Sequence, residues 1–164
     1  MADVVFEDFT IKVQGAIDDK INAVLEECAG EIESATKRNS RVASSKTKNS
    51  FEHHVDTSTK TAYIGSNHEN AIWEEFGTGE HALPEGGGGR KGYWVFVKGS
   101  GGGSKSTGKS YTLEEAKQVM AILRSKGLEA YYTNGKEPSR AFWNAYTSLK
   151  DKIIKHCQNS FKGL

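Results

Sequence analysis

The segment Gly103 to Ser110 matches the phosphate-loop pattern G-x-x-x-x-G-K-[ST] at every fixed position. In that pattern backbone N–H groups cradle phosphates, so Lys109 would reach the terminal phosphates and Ser110 would hold Mg²⁺. A working phosphate loop turns directly off a buried strand, whereas thirteen polar or glycine residues follow Val97 here. The composition therefore favours a linker. Nucleotide binding stays an alternative, with the site residues Gly103, Gly108, Lys109 and Ser110.

The histidines are the next residues that could do chemistry, as metal ligands. His53 and His54 are adjacent, so on a strand they face opposite sides and cannot share one metal from that strand. His68 and His81 lie further along the chain, without the tight spacing and the added carboxylate or thiolate of a typical zinc site. The pattern predicts satisfied or solvent-facing histidines and no metal site.

No catalytic arrangement is legible elsewhere. Glu74 and Glu75 are consecutive on a predicted helical turn and point apart, so they form no carboxylate pair. The sequence contains no G-x-S-x-G elbow. Cys28 and Cys157 lack metal-site spacing and are too few for a disulfide framework, which predicts reduced, helix-buried thiols. We therefore predict no catalytic residue, no cofactor and no enzymatic activity.

The overall charge argues against a dedicated nucleic-acid binder. The chain has 22 Lys plus Arg against 21 Asp plus Glu, a net charge of +1. A local excess of four positive charges remains between residues 85 and 110, so contact with nucleic acid through basic loops is a second alternative. Its basic residues, set against Glu85, are Arg90, Lys91, Lys98, Lys105 and Lys109. The acidic start and the lack of a long apolar run predict neither a secretory signal nor a membrane span.

The element that organises these residues is the stretch Asn70 to Gly79. Ile72, Trp73 and Phe76 fall on one side of a short helical turn, since residues three and four apart share a face. The first residue of the stretch can cap the turn, and Gly77 stands where helices commonly stop in a left-handed conformation. The pattern indicates an apolar anchor that docks against another surface.

Helical periodicity at both ends of the chain frames this anchor. Apolar residues in steps of three and four predict a helix from about Phe9 to about Lys37, roughly 45 Å long. Such a helix suits an oligomer seam as well as an intramolecular core. A capping box at Thr112 to Glu115 starts another helix, and a last one opens at Pro138 to Arg140.

Strand patterns complete the predicted fold. Two β-rich runs near residues 50–56 and 60–65 predict a hairpin, and further strands are expected at 93–98 and 128–133. We predict one α+β domain over residues 1–164 with a long N-terminal helix and a roughly four-stranded, mostly antiparallel sheet. Helices, including the C-terminal one, would pack on one face. Residues 85–110 form a Gly/Ser/Lys-rich loop region interrupted by strand 93–98.

Three short elements resemble a known family. The run AIWEEFGT at residues 71–78 resembles the small–aromatic–Glu–aromatic–Gly–Thr element of head–tail joining, or tail-completion, proteins of long-tailed bacteriophages. The run PSRAFWNA at 138–145 is similar to the element that opens their C-terminal helix, and KNSF at 48–51 looks like the start of their first strand. Order and spacing agree over about residues 8–160.

The resemblance implies a structural virion protein of a siphophage or prophage that is assembled in the bacterial host cytoplasm. Its partners would be the head connector or stopper, the tail-tube or tail-terminator proteins and other copies of itself in a ring, with passing contact to DNA in the channel and none to a membrane. This chain departs from the family at Thr47-Lys48, where Thr-Gly is common, and in the longer stretch from Glu85 to Ser110.

Aromatic side chains are the usual energetic anchors of interfaces, so we place the interface around the aromatic residues of these elements and of the predicted strand 93–98. The same side chains could instead close the core of the subunit. The predicted interface residues are Trp73, Glu75, Phe76, Gly77, Tyr93, Trp94, Phe142 and Trp143.

Overall fold

A computed structural model describes residues 9–41, 45–87, 89–99 and 104–162 of the chain. Their contacts group into two compact units. Unit 1 is built from the chain up to His68 and from Ala141 onward, and unit 2 from Glu69–Arg140. The prediction of one domain over residues 1–164 stays a prediction, and each unit is described by itself below.

Unit 1 is dominated by two helices, α1 (Thr10–Asn39) and α5 (Ala141–Ser160). They run antiparallel: Asn39 near the end of α1 donates to the Ala141 carbonyl at the start of α5, with Nδ2 and O 3.3 Å apart. The buried residues of α5 are small, Ala141 and Ala145, which lets two helices approach closely. The first three turns of α1, by contrast, expose their apolar side chains, which are Phe9 just before the helix, Ile11, Val13 and Ile17.

A short helix and a hairpin complete unit 1. The helix α2 (Ser45–Asn49) leads into β1 (Phe51–Asp56) and β2 (Thr61–Ser66), which pair antiparallel from Phe51↔Ser66 to Asp56↔Thr61. Alternation buries Phe51 and Val55 on the face that packs on α1. The Asp56 carboxylate closes the turn by accepting hydrogen bonds from the backbone N–H groups of Ser58 and Thr59.

Unit 2 begins with α3 (Asn70–Phe76) and β3 (Thr78–Gly79), followed by a 3₁₀ turn at Pro84–Gly86. Its main sheet is antiparallel, in the order β5 (Ser104–Ser106), β4 (Trp94–Lys98), β6 (Ala130–Thr133). The helix α4 (Leu113–Ser125) packs on this sheet. The last strand, β7 (Gly135–Lys136), pairs with β3.

The core of unit 2 lies between α4 and the three-stranded sheet. Val95, Ala116 and Ala130 have no exposed surface, and partly buried aliphatic and tyrosine side chains pack around them. Thr112 caps α4 through the predicted capping box, with its side chain accepting from the Glu115 backbone N–H and the Glu115 carboxylate accepting from Thr112 N–H. The box fixes where the helix begins, and so which residues face the sheet.

The predicted α+β class, the long N-terminal helix and the antiparallel pairing are confirmed. The sheet differs from the prediction, because the described strands form sheets of two, two and three strands and not one of four. The hairpin belongs to unit 1 and strand 94–98 to unit 2, so each sheet meets its own helix. A strand that was not expected, β5, lies inside the predicted loop region.

Candidate interaction surface

The most exposed aromatic side chain on α3 is Trp73. It is 54% exposed and its neighbour Ile72 is 53% exposed, while Ala71 is buried. A helix of seven residues can pack only one of its faces against its own unit, and in α3 the packed face is the one that carries Ala71. The two large apolar side chains therefore form an apolar patch on the surface of unit 2, which we call the α3 patch. Such exposure of a tryptophan is typical of binding surfaces.

The C-terminal end of α3 is fixed by Gly77. Its backbone N–H donates to the Trp73 carbonyl at 2.9 Å, and its φ of 77° lies in the left-handed region. A Cβ here would lie 2.8 Å from the Lys136 carbonyl oxygen and 3.0 Å from Pro138 Cδ. Only glycine fits both the backbone angle and the space. The predicted stop is confirmed, and the helix begins at Asn70 after Glu69, whose side chain makes no capping hydrogen bond.

A segment 65 positions further along the chain also holds α3. The Ser139 backbone N–H and hydroxyl both donate to the Glu74 carbonyl oxygen, at 2.7 and 2.8 Å. The Glu74 carboxylate pairs with the Lys136 ammonium. The two sequence elements that carry the family resemblance, 71–78 and 138–145, thus meet at this point through Glu74 and Ser139. Lys136 in the last strand and Ser139 shortly after it therefore brace the α3 patch.

Two of the predicted interface aromatics pack closely on glycines of unit 2. Phe76 lies against Gly86, where an added Cβ would come within 2.4 Å of the Phe76 Cβ. Trp94 lies against Gly79 and carries the Arg90 guanidinium 5.3 Å from its ring centroid. Both rings are half-buried, so they support the surface more than they form it.

The other predicted interface residues separate by unit. Tyr93 packs on the core of unit 2 with its ring 6.0 Å from that of Tyr132, and Glu75 is half-buried. Phe142 and Trp143 belong to α5 in unit 1, where Phe142 is half-buried and Trp143 is 48% exposed beside the Tyr146 ring. Of the eight residues, Trp73 and Trp143 are the two exposed ones. Ile72, which the sequence places in the apolar anchor but not among these eight residues, is exposed as well.

Glu80 links the loop after β3 to two other segments of unit 2. Its carboxylate accepts hydrogen bonds from Asn134 Nδ2 at 3.1 Å and from the Gly92 backbone N–H at 3.0 Å. These hydrogen bonds, the one from Asn134 foremost, lower the pKa of Glu80. The first hydrogen bond anchors Glu80 to Asn134, and the second joins Glu80 to Gly92, so the segment between Glu80 and Gly92 is held at both ends.

In unit 1 the two neighbouring histidines face opposite sides of the hairpin, as predicted. His54 is exposed, whereas His53 lies between two carboxylates of α1, with Nδ1 2.5 Å from Glu33 and Nε2 3.0 Å from Glu26. Both ring nitrogens face acceptors, so the arrangement suits the imidazolium. The Glu33 hydrogen bond raises the pKa of His53, and the Lys37 hydrogen bond lowers the pKa of Glu33. Sequence reasoning missed these partners, although Glu26, Glu33 and Lys37 lie on one helix face.

The described residues of the phosphate-loop pattern, 104–110, do not form a loop at a helix start. Gly103 lies outside the described residues, and Ser104–Ser106 form β5. Lys109 and Ser110 are exposed, the Ser110 hydroxyl accepts from Arg90 Nε at 2.9 Å, and α4 begins only at Leu113. In a phosphate loop, by comparison, the Lys-Ser pair itself opens the helix.

Across residues 9–41, 45–87, 89–99 and 104–162, no group of three or more His, Cys, Asp or Glu side chains is placed to hold a metal ion. None of the helices described there is long and apolar enough to span a membrane. The fold and the surface thus define a small α+β protein with exposed tryptophans. No family model matches the chain. Nor does any curated protein or solved structure match it at a significant level.

Proposed function

We propose that this chain is a structural assembly protein: a head–tail joining, or tail-completion, subunit of a long-tailed phage or prophage. In this role it carries out no catalysis and binds no cofactor. It forms a ring where the head connector meets the tail, beside stopper and tail-tube or tail-terminator proteins, and resides in the virion. The observation that carries the proposal is the α3 patch, Ile72 and Trp73, held on a braced helix.

The bracing supports a docking role because it lowers the cost of binding. A surface that is already fixed loses little conformational entropy when a partner covers it. Gly77, the Glu74–Lys136 ion pair and the hydrogen bonds from Ser139 fix α3 at its C-terminal end. An exposed tryptophan on such a helix has the character of an interface hot spot.

A ring subunit needs two different surfaces, because each neighbour in a ring meets the other by head-to-tail contact. Each unit of this chain supplies exposed apolar side chains. Unit 2 has the α3 patch, and unit 1 has Trp143 and the stripe of Phe9, Val13 and Ile17 at the start of α1. The family resemblance is the reason for naming a head–tail joining ring as the assembly. The two main sequence elements of that resemblance contact each other at Glu74 and Ser139.

The test is association measured by light scattering, for the chain alone and with purified connector and tail-tube components. We expect wild type to form rings or mixed complexes, and Trp73→Ala to lose at least tenfold in affinity, about 1.4 kcal/mol or more. Ile122→Ala is the matched control, because Ile122 is 55% exposed on α4 of the same unit. It should bind like wild type.

Both variants should keep the wild-type thermal midpoint, since neither side chain is buried. The proposal fails if wild type binds neither component at tens of micromolar. Calorimetry with Mg-ATP separates it from nucleotide binding: heat from wild type that Lys109→Ala abolishes would replace the proposal with that function.

Contact with channel DNA has its own support in unit 2. Lys91, Lys105 and Lys109 are exposed, while Lys98 pairs with Glu129 at 3.2 Å. Exposed lysines bind phosphates by displacing counterions, so any binding to duplex DNA should weaken steeply as salt rises. Binding that does not depend on salt would exclude this contact and leave the assembly role untouched.

A further inference from the structure

The two cysteines of the chain meet in unit 1. Cys28 in α1 and Cys157 in α5 are 129 positions apart in the sequence, yet their Sγ atoms lie 3.9 Å apart. They are the only cysteines among the 164 residues, and both are free and half-buried. Two sulfurs in contact on antiparallel helices form a dithiol, which is a site for reversible oxidation.

Two polar contacts beside the sulfurs fix the register of this contact. Glu27 Oε2 lies 2.9 Å from His156 Nε2, one residue before each cysteine, and Glu31 pairs with the Lys152 ammonium about one turn away. Both pairs join α1 to α5 as the sulfurs do, so the same faces of the helices meet at all three contacts. The thiols therefore face each other because of how the helices pack.

The remaining movement is small. A disulfide has an S–S length of about 2.05 Å, so the sulfurs must approach by about 2 Å. Rotation about the Cα–Cβ bonds moves a sulfur by this order.

We propose that Cys28 and Cys157 form an intramolecular disulfide when the chain leaves a reducing compartment and meets a small-molecule disulfide such as oxidised glutathione. One cysteine thiolate attacks a glutathione sulfur, forms a mixed disulfide and releases one glutathione. The second thiolate attacks the protein sulfur of that mixed disulfide and releases the other. The cysteine pair loses two electrons and two protons, and both end on the two reduced glutathiones.

The environment of the two cysteines determines how fast the disulfide forms and what it does to unit 1. Burial, Cys157 and the nearby glutamates raise the pKa of Cys28 to about 11, so little of it is thiolate at neutral pH and the bond forms slowly. Unit 1 is made of two chain segments separated by all of unit 2. The disulfide joins one segment to the other and makes the packing of α1 on α5 covalent.

The experiment uses the full wild-type chain in a series of reduced and oxidised glutathione mixtures. We expect the loss of two titratable thiols per chain, a mass lower by two hydrogen atoms and a peptide map that joins Cys28 to Cys157. The thermal midpoint of unit 1 should rise by roughly 5–15 °C, and a reductant should reverse the rise.

Cys28→Ser and Cys157→Ser are the matched controls. Each keeps one thiol, so each should stop at a mixed disulfide with a single glutathione and show no rise in the midpoint. The decisive measurement is on wild type, so a variant that folds poorly does not affect it. Folded wild type that retains both thiols, stops at mixed disulfides or forms only dimers linked between chains would overturn the proposal.

Discussion

The two units of this chain solve the same problem, packing with few large core residues, in different ways. Unit 1 relies on a long helix pair with an alanine seam, joined by the Glu31–Lys152 ion pair, the Glu27–His156 contact and the sulfur contact. Unit 2 relies on short elements whose backbones approach closely where glycines leave room. The fully buried core of unit 2 consists of one valine and two alanines, Val95, Ala116 and Ala130.

The two units therefore differ in which substitutions they tolerate. Side chains along a helix seam can be exchanged for others of similar volume at small cost. A position where the backbone itself lies against a ring or a carbonyl accepts no side chain at all. We therefore expect substitutions of matched size to harm unit 2 far more than unit 1, and the following predictions measure that contrast from the largest effect to the smallest.

Gly79→Ala should have the largest effect. The added Cβ would lie 2.1 Å from the Asn134 carbonyl oxygen and 2.7 Å from Trp94 Cη2, at a φ of 62°. Neither the turn nor the ring can yield without opening the β3–β7 pair, so we expect a loss of at least about 3 kcal/mol of stability in unit 2. Urea unfolding, monitored by hydrogen exchange of the backbone amides in β4 and β6, measures this loss of stability.

Gly87→Ala is the control for that variant. Gly87 also has a positive φ, 89°, but an added Cβ meets no atom within 4 Å among the described residues. It should cost only about 1 kcal/mol, the penalty of the backbone angle alone. Equal losses for the two variants would contradict the idea that close backbone contact governs unit 2.

Thr112→Ala comes next. It removes the hydroxyl that accepts from Glu115 N–H, and with it one side of the capping box of α4. Loss of a cap typically costs about 1 kcal/mol. Circular dichroism with urea titration measures the loss, and Glu114→Gln, in the same turn but outside the box, should change stability by less than half as much. A neutral Thr112→Ala would show that sheet packing alone sets the start of the helix.

His53→Gln tests the polar contact that joins α1 to the hairpin of unit 1. The pKa of His53 is raised from its ordinary 6.5, so its stabilising effect is fully present below about pH 6.5 and is lost as the pH rises through the higher folded value. The pKa of Glu33 is lowered from 4.5, so its contribution is present above that value and is lost as the pH falls through the lower one.

Wild type should therefore lose about 1 kcal/mol relative to His53→Gln as the pH rises from about 6.5 through the raised folded pKa of His53. Urea unfolding at several pH values measures the difference. His54→Gln, on the exposed side of the same strand, should follow the wild-type pH dependence. If His53→Gln shows the wild-type slope as well, the imidazolium between the carboxylates does not contribute.

Gly15→Ala should have the smallest effect and the opposite sign. Gly15 lies inside α1 with no atom within 4 Å of an added Cβ in the described structure, so alanine adds helix propensity without a clash. We expect unit 1 to gain about 0.5–1 kcal/mol, measured by thermal unfolding. A loss of stability would mean that a helix position in unit 1 is as constrained as the glycines of unit 2.

The same contrast explains what the sequence could predict. The helix of unit 1, the capping box at Thr112 and the stop at Gly77 are local signals, and each lies within three residues of its prediction. The β3–β7 pair could not be predicted, because two-residue strands have no period and depend on contact between residues about 57 positions apart. The bracing of Glu74 by Ser139 is likewise a long-range contact, although both residues lie in the elements that carry the family resemblance.

The prediction of a single four-stranded sheet was wrong for the same reason, since strand pairing is a long-range contact. Alternation identified the hairpin and strand 94–98 but carries no information on which strands pair. The exposure of Trp73 and Trp143 could not be predicted from the sequence either. A tryptophan on the apolar face of a helix gives the same pattern whether it packs into the core or faces a partner. The contacts of Phe76 and Trp94 with glycines needed the coordinates of both partners.

The hydrogen bonds from Ser139 to the Glu74 carbonyl have one more consequence. They join positions close to where the polypeptide enters and leaves the inserted segment 69–140, so its two ends are neighbours. In general, a segment with neighbouring ends can move between proteins as a unit without breaking the chain on either side. We therefore expect recombination to be able to exchange segment 69–140, with its exposed tryptophan, while α1 and α5 keep their chain path.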